Sequence, residues 1–166
     1  MPERPSTVAG KDHGRQRAGG SAAVDRLRRL CLAFPEAVEK LSHGEPTWFA
    51  GAGKVFATLD DHHHGAEHLS VWLPLPLGAQ EALVAGDPDR FFRPPYVGGK
   101  GWVAVVLDRA PEWGLIAALL REAYLTVASP RLAARLRGEH ARGTSTSTAV
   151  APLRRAGTGS ARRSAR

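Results

Sequence analysis

The sequence predicts an α+β domain, an antiparallel sheet packed by helices on one face, and three observations carry this. Apolar residues recur at helical spacing at both ends of a central region. Between those ends lie short apolar runs bounded by Gly and Pro, the pattern of strands. All four Trp, all five Phe and both Tyr fall within residues 24–136, so one stretch of the 166 residues holds the material for a core.

The first helix is expected in "SAAVDRLRRLCLAFPE", with Ser21 as N-cap and Val24, Leu27, Leu30, Cys31 and Phe34 on one stripe before Pro35 ends it. A hairpin follows in "EPTWFAGAGKVFATLDD", pairing Trp48-Phe49 with Val55–Leu59 around the glycine turn at 51–53. In "HLSVWLP", Leu69, Val71 and Leu73 alternate against Ser70 and Trp72, which puts Trp72 on the opposite face. By the same alternation Phe56 lies opposite Val55 and Ala57. Residues 76–85 read as a short helix stopped by Gly86. The long loop "GDPDRFFRPPYVGGKG" then delivers the chain into "WVAVVLD", apolar on both faces and so a central strand, with Trp102 packed in the core. Two helices close the domain. The first carries Trp113, Ile116, Leu120, Tyr124 and Val127 on one stripe, and the second runs from the Ser129-Pro130 cap to Gly138.

Charge is distributed unevenly. Residues 1–23 hold four Lys/Arg against two acids, and residues 137–166 hold seven against one; residues 24–136 hold twelve against thirteen. The net +7 therefore belongs to the flanks, and the central region is near neutral. This excludes an argument from overall basicity to a nucleic-acid-binding fold, and leaves an Arg-rich arm suited to phosphate. The Gly/Ser/Thr/Arg-rich flanks carry too little apolar surface to offset the entropy of ordering them. The expected organisation is a disordered basic tail over 1–22, the domain over 23–137, and a disordered Arg-rich tail over 138–166. Cys31 is the one cysteine, which excludes an intrachain disulfide and a zinc ribbon. The expected place is the cytoplasm, since no apolar run of roughly 18 residues suggests a membrane span and no apolar segment near the start suggests export.

At "FPEAVEKLSHGEPTWFAGAGKVFATL", "HLSVWLP", "FFRPPYVGGKGWVAVVLD" and "LLREAYLTVASPRLAARL" the sequence resembles the MmcQ/YjbR family of small bacterial proteins. The resemblance runs from about Val24 to Leu136. Its most specific parts are Pro-Glu at 35–36, His-Gly-x-Pro at 43–46, Gly-Trp-Val at 101–103, and a Tyr followed by Val-Ala in the penultimate helix. It implies a CyaY-like two-layer fold and a double-wing arrangement of strands and loops that binds DNA. None of these parts is a catalytic signature.

Four constellations bear on chemistry. "DDHHHGAEH" gathers His62, His63, His64 and His68 between two strands. A zinc site needs three or four ligands in tetrahedral reach, and no second His/Cys pair in the central region completes one, so the cluster reads as a solvated loop without metal. A frataxin-like iron role would need an acidic first helix, whereas "VDRLRRLCL" has three Arg and one Asp. "GAGK" and "GGKGW" fall short of a phosphate-binding loop and read as turns, though Lys54 and Lys100 beside flexible backbone are candidates for phosphate contact. Trp72 and Tyr96, with Arg90, Arg93 and Lys100 around them, form a candidate nucleic-acid surface on the open sheet face. No nucleophile motif or placed acid pair asks for an enzyme or a cofactor, and Asp60 and Asp61 read as turn residues. The expected function is thus non-enzymatic duplex-DNA binding through Lys54, Arg90, Arg93, Tyr96, Lys100 and Trp72, assisted by the tail. The alternatives are a protein- or small-ligand-binding module using the same open face, and an enzyme with an unrecognised site.

Overall fold

The computed structural model describes residues 12–62 and 67–144. Within them, α1 (Asp12–Leu32) precedes strands β1 (Ala37–Ser42), β2 (Glu45–Ala50), β3 (Val55–Asp61) and β4 (Leu69–Pro74). Helix α2 (Ala79–Gly86), β5 (Phe91–Phe92), β6 (Trp102–Val106), α3 (Trp113–Val127) and α4 (Pro130–Thr144) complete the chain. The six strands form one sheet in the order β1-β2-β3-β4-β6-β5, with every pair antiparallel. The fold is α+β.

The core lies between this sheet and the helices. Leu59, Val71, Val105 and Phe91 stand in register across β3, β4, β6 and β5, and all four are buried. Ile116, Leu120 and Tyr124 of α3 and Leu27 and Cys31 of α1 meet that face. The α3 stripe and the buried Cys31 are where the sequence puts them, and burial pushes the Cys31 thiol up from its usual range. Tyr124 stacks on Phe34 with ring centroids 4.9 Å apart and meets Phe56 edge-on, while its hydroxyl donates to the Pro35 carbonyl at 2.6 Å. Glu39 ties the layers together: its carboxylate accepts from Arg28 of α1 at 2.9 Å and from the buried Trp48 indole at 3.1 Å.

Several expectations are corrected. Ser21 is not the cap of α1, which continues back through Gly19-Gly20 to Asp12. Glycine costs a helix only about 1 kcal/mol each. Likewise α4 passes through Gly138 to Thr144. Strand β1 is not anticipated at all. It pairs with β2 through the two-residue turn His43-Gly44, whose φ values of 54° and 85° are those of a type I′ hairpin. Phe56 is not on the open face. A register shift opposite Trp48/Phe49 makes it the extra residue of a β-bulge, so Phe56 and Ala57 are both turned into the core. Asp60 and Asp61 are the last residues of β3 rather than a turn.

Glu36 fastens α4 to the start of the sheet. Its carboxylate receives two hydrogen bonds from Arg131 at 2.8 Å and one from Arg135 at 3.4 Å, and its own carbonyl accepts from Gly51 at 3.0 Å. Gly51 sits at φ 62° against Leu132, a backbone conformation in which a side chain would be strained. The Arg131 hydrogen bonds, reinforced by the charges of Arg131 and Arg135, hold the Glu36 carboxyl below its ordinary pKa. A depressed folded-state pKa contributes stability above the unfolded-state value and loses it as pH falls through the folded value. Glu36→Gln should therefore lower the melting temperature slightly at neutral pH, with the difference from wild type closing as the solution is acidified. A constant difference across that range would show that the carboxylate charge contributes nothing.

Candidate functional site

The face of the sheet opposite the core row carries a pocket. A row in register, Thr47, Thr58, Trp72 and Ala104, crosses β2, β3, β4 and β6 on the side opposite the core row, and the Thr47 and Thr58 hydroxyls are 2.7 Å apart. Toward the β1–β2 turn stand Glu45 and Asp60, only 5% and 1% exposed. The resulting cavity has a volume of about 430 Å³ and is also lined by Tyr96, Val97 and Trp102. That volume lies within the usual range for small-molecule sites, about 300–1,000 Å³.

Each wall has a local cause. Strand alternation sends Trp72 to this face, as expected, and its indole N–H donates to Ser70 Oγ at 3.1 Å. Trp102 is half-buried and lines the pocket, so the expectation that it is a core residue is corrected: it pairs with Pro74, on the same strand face as Trp72. Glu45 is held at the mouth of β2 by the Asp61 N–H, which donates to its carboxylate at 3.2 Å. The remaining wall is the loop at residues 93–101. Tyr96 is 81% exposed with φ 63°, a left-handed conformation that a non-glycine residue adopts at a cost, and such strain collects at binding sites. Gln80, buried in α2, fixes this loop by donating its side-chain amide to the carbonyls of Gly98 and Trp102.

Of the residues expected to form a nucleic-acid surface, Trp72 and Tyr96 come together in the pocket and the basic ones stand outside it. Arg90 pairs with Asp87 at 3.3 Å and lies 3.6 Å from Glu112. Arg93 lies 3.7 Å from Glu81. Lys54 and Lys100 are exposed, one in the β2–β3 turn and the other at the end of the 93–101 loop. In the histidine cluster, His62 meets Asp61 at 2.7 Å and His68 meets Asp108 at 3.5 Å, whereas His63 and His64 lie outside the described residues. Sequence reading missed Glu45, Asp60 and Gln80. Charged residues on the strand face shared with Trp72 are the signal that marks the first two.

Residues 32–126 match the YjbR family model. The chain belongs to the YjbR family. The crystal structure of Deinococcus radiodurans protein DR2400, which carries the family-model domain DUF419, superposes with a TM-score of 0.54 at 23% identity. That match covers 70% of this chain and 86% of DR2400, and it supports the fold alone. No curated protein matches the chain. Among the described residues no helix is long and apolar enough to cross a membrane.

Proposed function

We propose that this YjbR-family domain is a cytoplasmic binding protein, not an enzyme, whose site is the pocket on the open sheet face and whose ligand is a small organic molecule. The observation that carries this reading is the pocket's make-up: about 430 Å³ walled by Trp72, Tyr96 and Trp102, with a few polar groups at one end. Apolar walls that bury most of a ligand, with a few fixed polar groups to orient it, are the general recipe for a small-molecule site. The absence of a recognisable nucleophile or acid–base motif in the sequence favours binding over catalysis.

Duplex DNA is the second reading, favoured by exposed Lys54 and Lys100 and by the seven Arg of residues 137–166. It fits the pocket poorly, because the described lining holds no Lys or Arg, and Arg90 and Arg93 already face acidic partners. A thermal-shift screen of the full chain separates the two. A ligand present at about 100 times its Kd adds about 2.7 kcal/mol of stability. Small organic molecules should raise the melting temperature of wild type, and Trp102→Ala should abolish the rise. Stabilisation by duplex DNA alone, retained in Trp102→Ala and weakened as salt is raised, would favour the DNA reading instead. In that case each phosphate contact made by the Arg-rich tail would add about −0.9 to the slope of log affinity against log salt.

A further inference from the structure

We infer that the pocket takes a ring compound whose hydroxyl or N–H donates a hydrogen bond to Thr58 Oγ1, and that it discriminates against molecules of the same shape carrying only an acceptor there. The inference rests on the pocket being a binding site and adds the polarity of the group its ligand presents.

The direction of a short hydrogen-bond chain carries it. A threonine hydroxyl has a single proton to give and two lone pairs with which to accept. Thr47 of β2 is only 2% exposed, and its hydroxyl donates to the Glu45 carbonyl at 3.3 Å. That commits its proton. The 2.7 Å contact between the Thr47 and Thr58 hydroxyls is then a bond in which Thr58 donates and Thr47 accepts. The opposite direction would leave the Glu45 carbonyl contact without a proton and make one bond where this arrangement makes two. Thr58 therefore keeps only its lone pairs, and no donor among the described residues reaches them. Unlike Thr47, Thr58 is half-buried, and it lines the pocket opposite Trp72 in the register of β3 and β4. The chain thus ends at the pocket in an acceptor. A ligand that donates to Thr58 completes it without disturbing the bonds behind, and bonds in a chain polarise and reinforce one another. An acceptor-only ligand sets lone pairs against lone pairs, or draws the Thr58 proton away and breaks the bond to buried Thr47. Val55, Leu59, Val97 and Trp102 in the same lining suit a ring, and about 430 Å³ has room for a bicyclic one.

The test uses the full chain and three probes on one bicyclic frame: indole with an N–H donor, indene with a methylene in its place, and benzofuran with an oxygen acceptor. Each is titrated at neutral pH, and its Kd is read from the shifts of the protein's backbone amide signals. Indole should bind about threefold to tenfold more tightly than indene, the factor for one net hydrogen bond, and benzofuran no more tightly than indene. Thr58→Val keeps the shape without the oxygen and should bring the indole-to-indene ratio to about one. Thr58→Ser keeps the oxygen and should keep the ratio. Each variant is first checked for an intact melting transition, and Thr58→Ala takes the place of Thr58→Val if that one fails to fold. Equal binding of indole and benzofuran by wild type, or an indole preference that survives loss of the Thr58 oxygen, would overturn the donor inference and leave the pocket standing. Failure of all three to move any amide signal at millimolar concentration would remove the pocket reading itself.

Discussion

Tyr124→Ala is expected to destabilise the domain by about 3–5 kcal/mol, the range for truncating a large buried aromatic. The ring is fully buried, stacked on Phe34 and meeting Phe56 edge-on, and its loss leaves a hole where α3 meets the bulge of β3. Tyr124→Phe keeps the ring and removes only the hydroxyl that donates to Pro35. That carbonyl lies in the α1–β1 connection, and leaving it unsatisfied costs about 1–3 kcal/mol. Denaturant midpoints at constant slope measure both. A Phe variant as unstable as the Ala variant would mean that the hydrogen bond, rather than the packing, holds this junction.

Gln80→Leu is expected to damage both stability and binding. It matches the side chain in size but removes the amide that holds the Gly98 and Trp102 carbonyls, at about 1–3 kcal/mol for a buried group left unpaired. Because these carbonyls anchor the loop bearing Tyr96 and the strand bearing Trp102, the affinity for a small organic ligand found in the thermal-shift screen should fall by about tenfold or more, the factor that corresponds to 1.4 kcal/mol. Lost stability with unchanged affinity would show that Gln80 supports the fold without positioning the pocket.

The interior of this fold is legible in the sequence where burial imposes a period. Leu69, Val71 and Leu73 alternate, and Ile116, Leu120 and Tyr124 recur along one helix face, so core and elements follow directly. Strand β1 escapes because it is an edge: Val38 and Leu41 are 39% and 76% exposed, and its turn uses His-Gly where Asn-Gly would have been conspicuous. Phe56 is misplaced because a bulge breaks strict alternation, and no residue type announces a bulge. The candidate site was half legible. Trp72 lies on the open face by simple alternation, but Trp102 sits in a run apolar on both faces, where periodicity says nothing about direction. Asp60 reads as a turn residue because Asp is common in turns, and Glu45 stands outside the strands the sequence predicts. Only the register, which sets Asp60 against Ser70 and Thr58 against Trp72, brings them to one pocket. Gln80 is a lone amide in a short helix, and its partners are 18 and 22 residues away. Nothing local signals such a contact.

The four tryptophans provide the most direct test of the open-face pocket. Trp72 and Trp102 line it, while Trp48 is buried beside Glu39 and Trp113 packs against Arg26 and the core. In a proton–nitrogen correlation spectrum of the full chain their indole N–H groups give four reporters, two at the pocket and two away from it. Titration with a small organic ligand found in the thermal-shift screen should move the Trp72 and Trp102 signals, saturably and together, and leave those of Trp48 and Trp113 in place. Movement of the Trp48 or Trp113 signals alone, or of none of the four at millimolar probe, would contradict a binding site on the open face of the sheet.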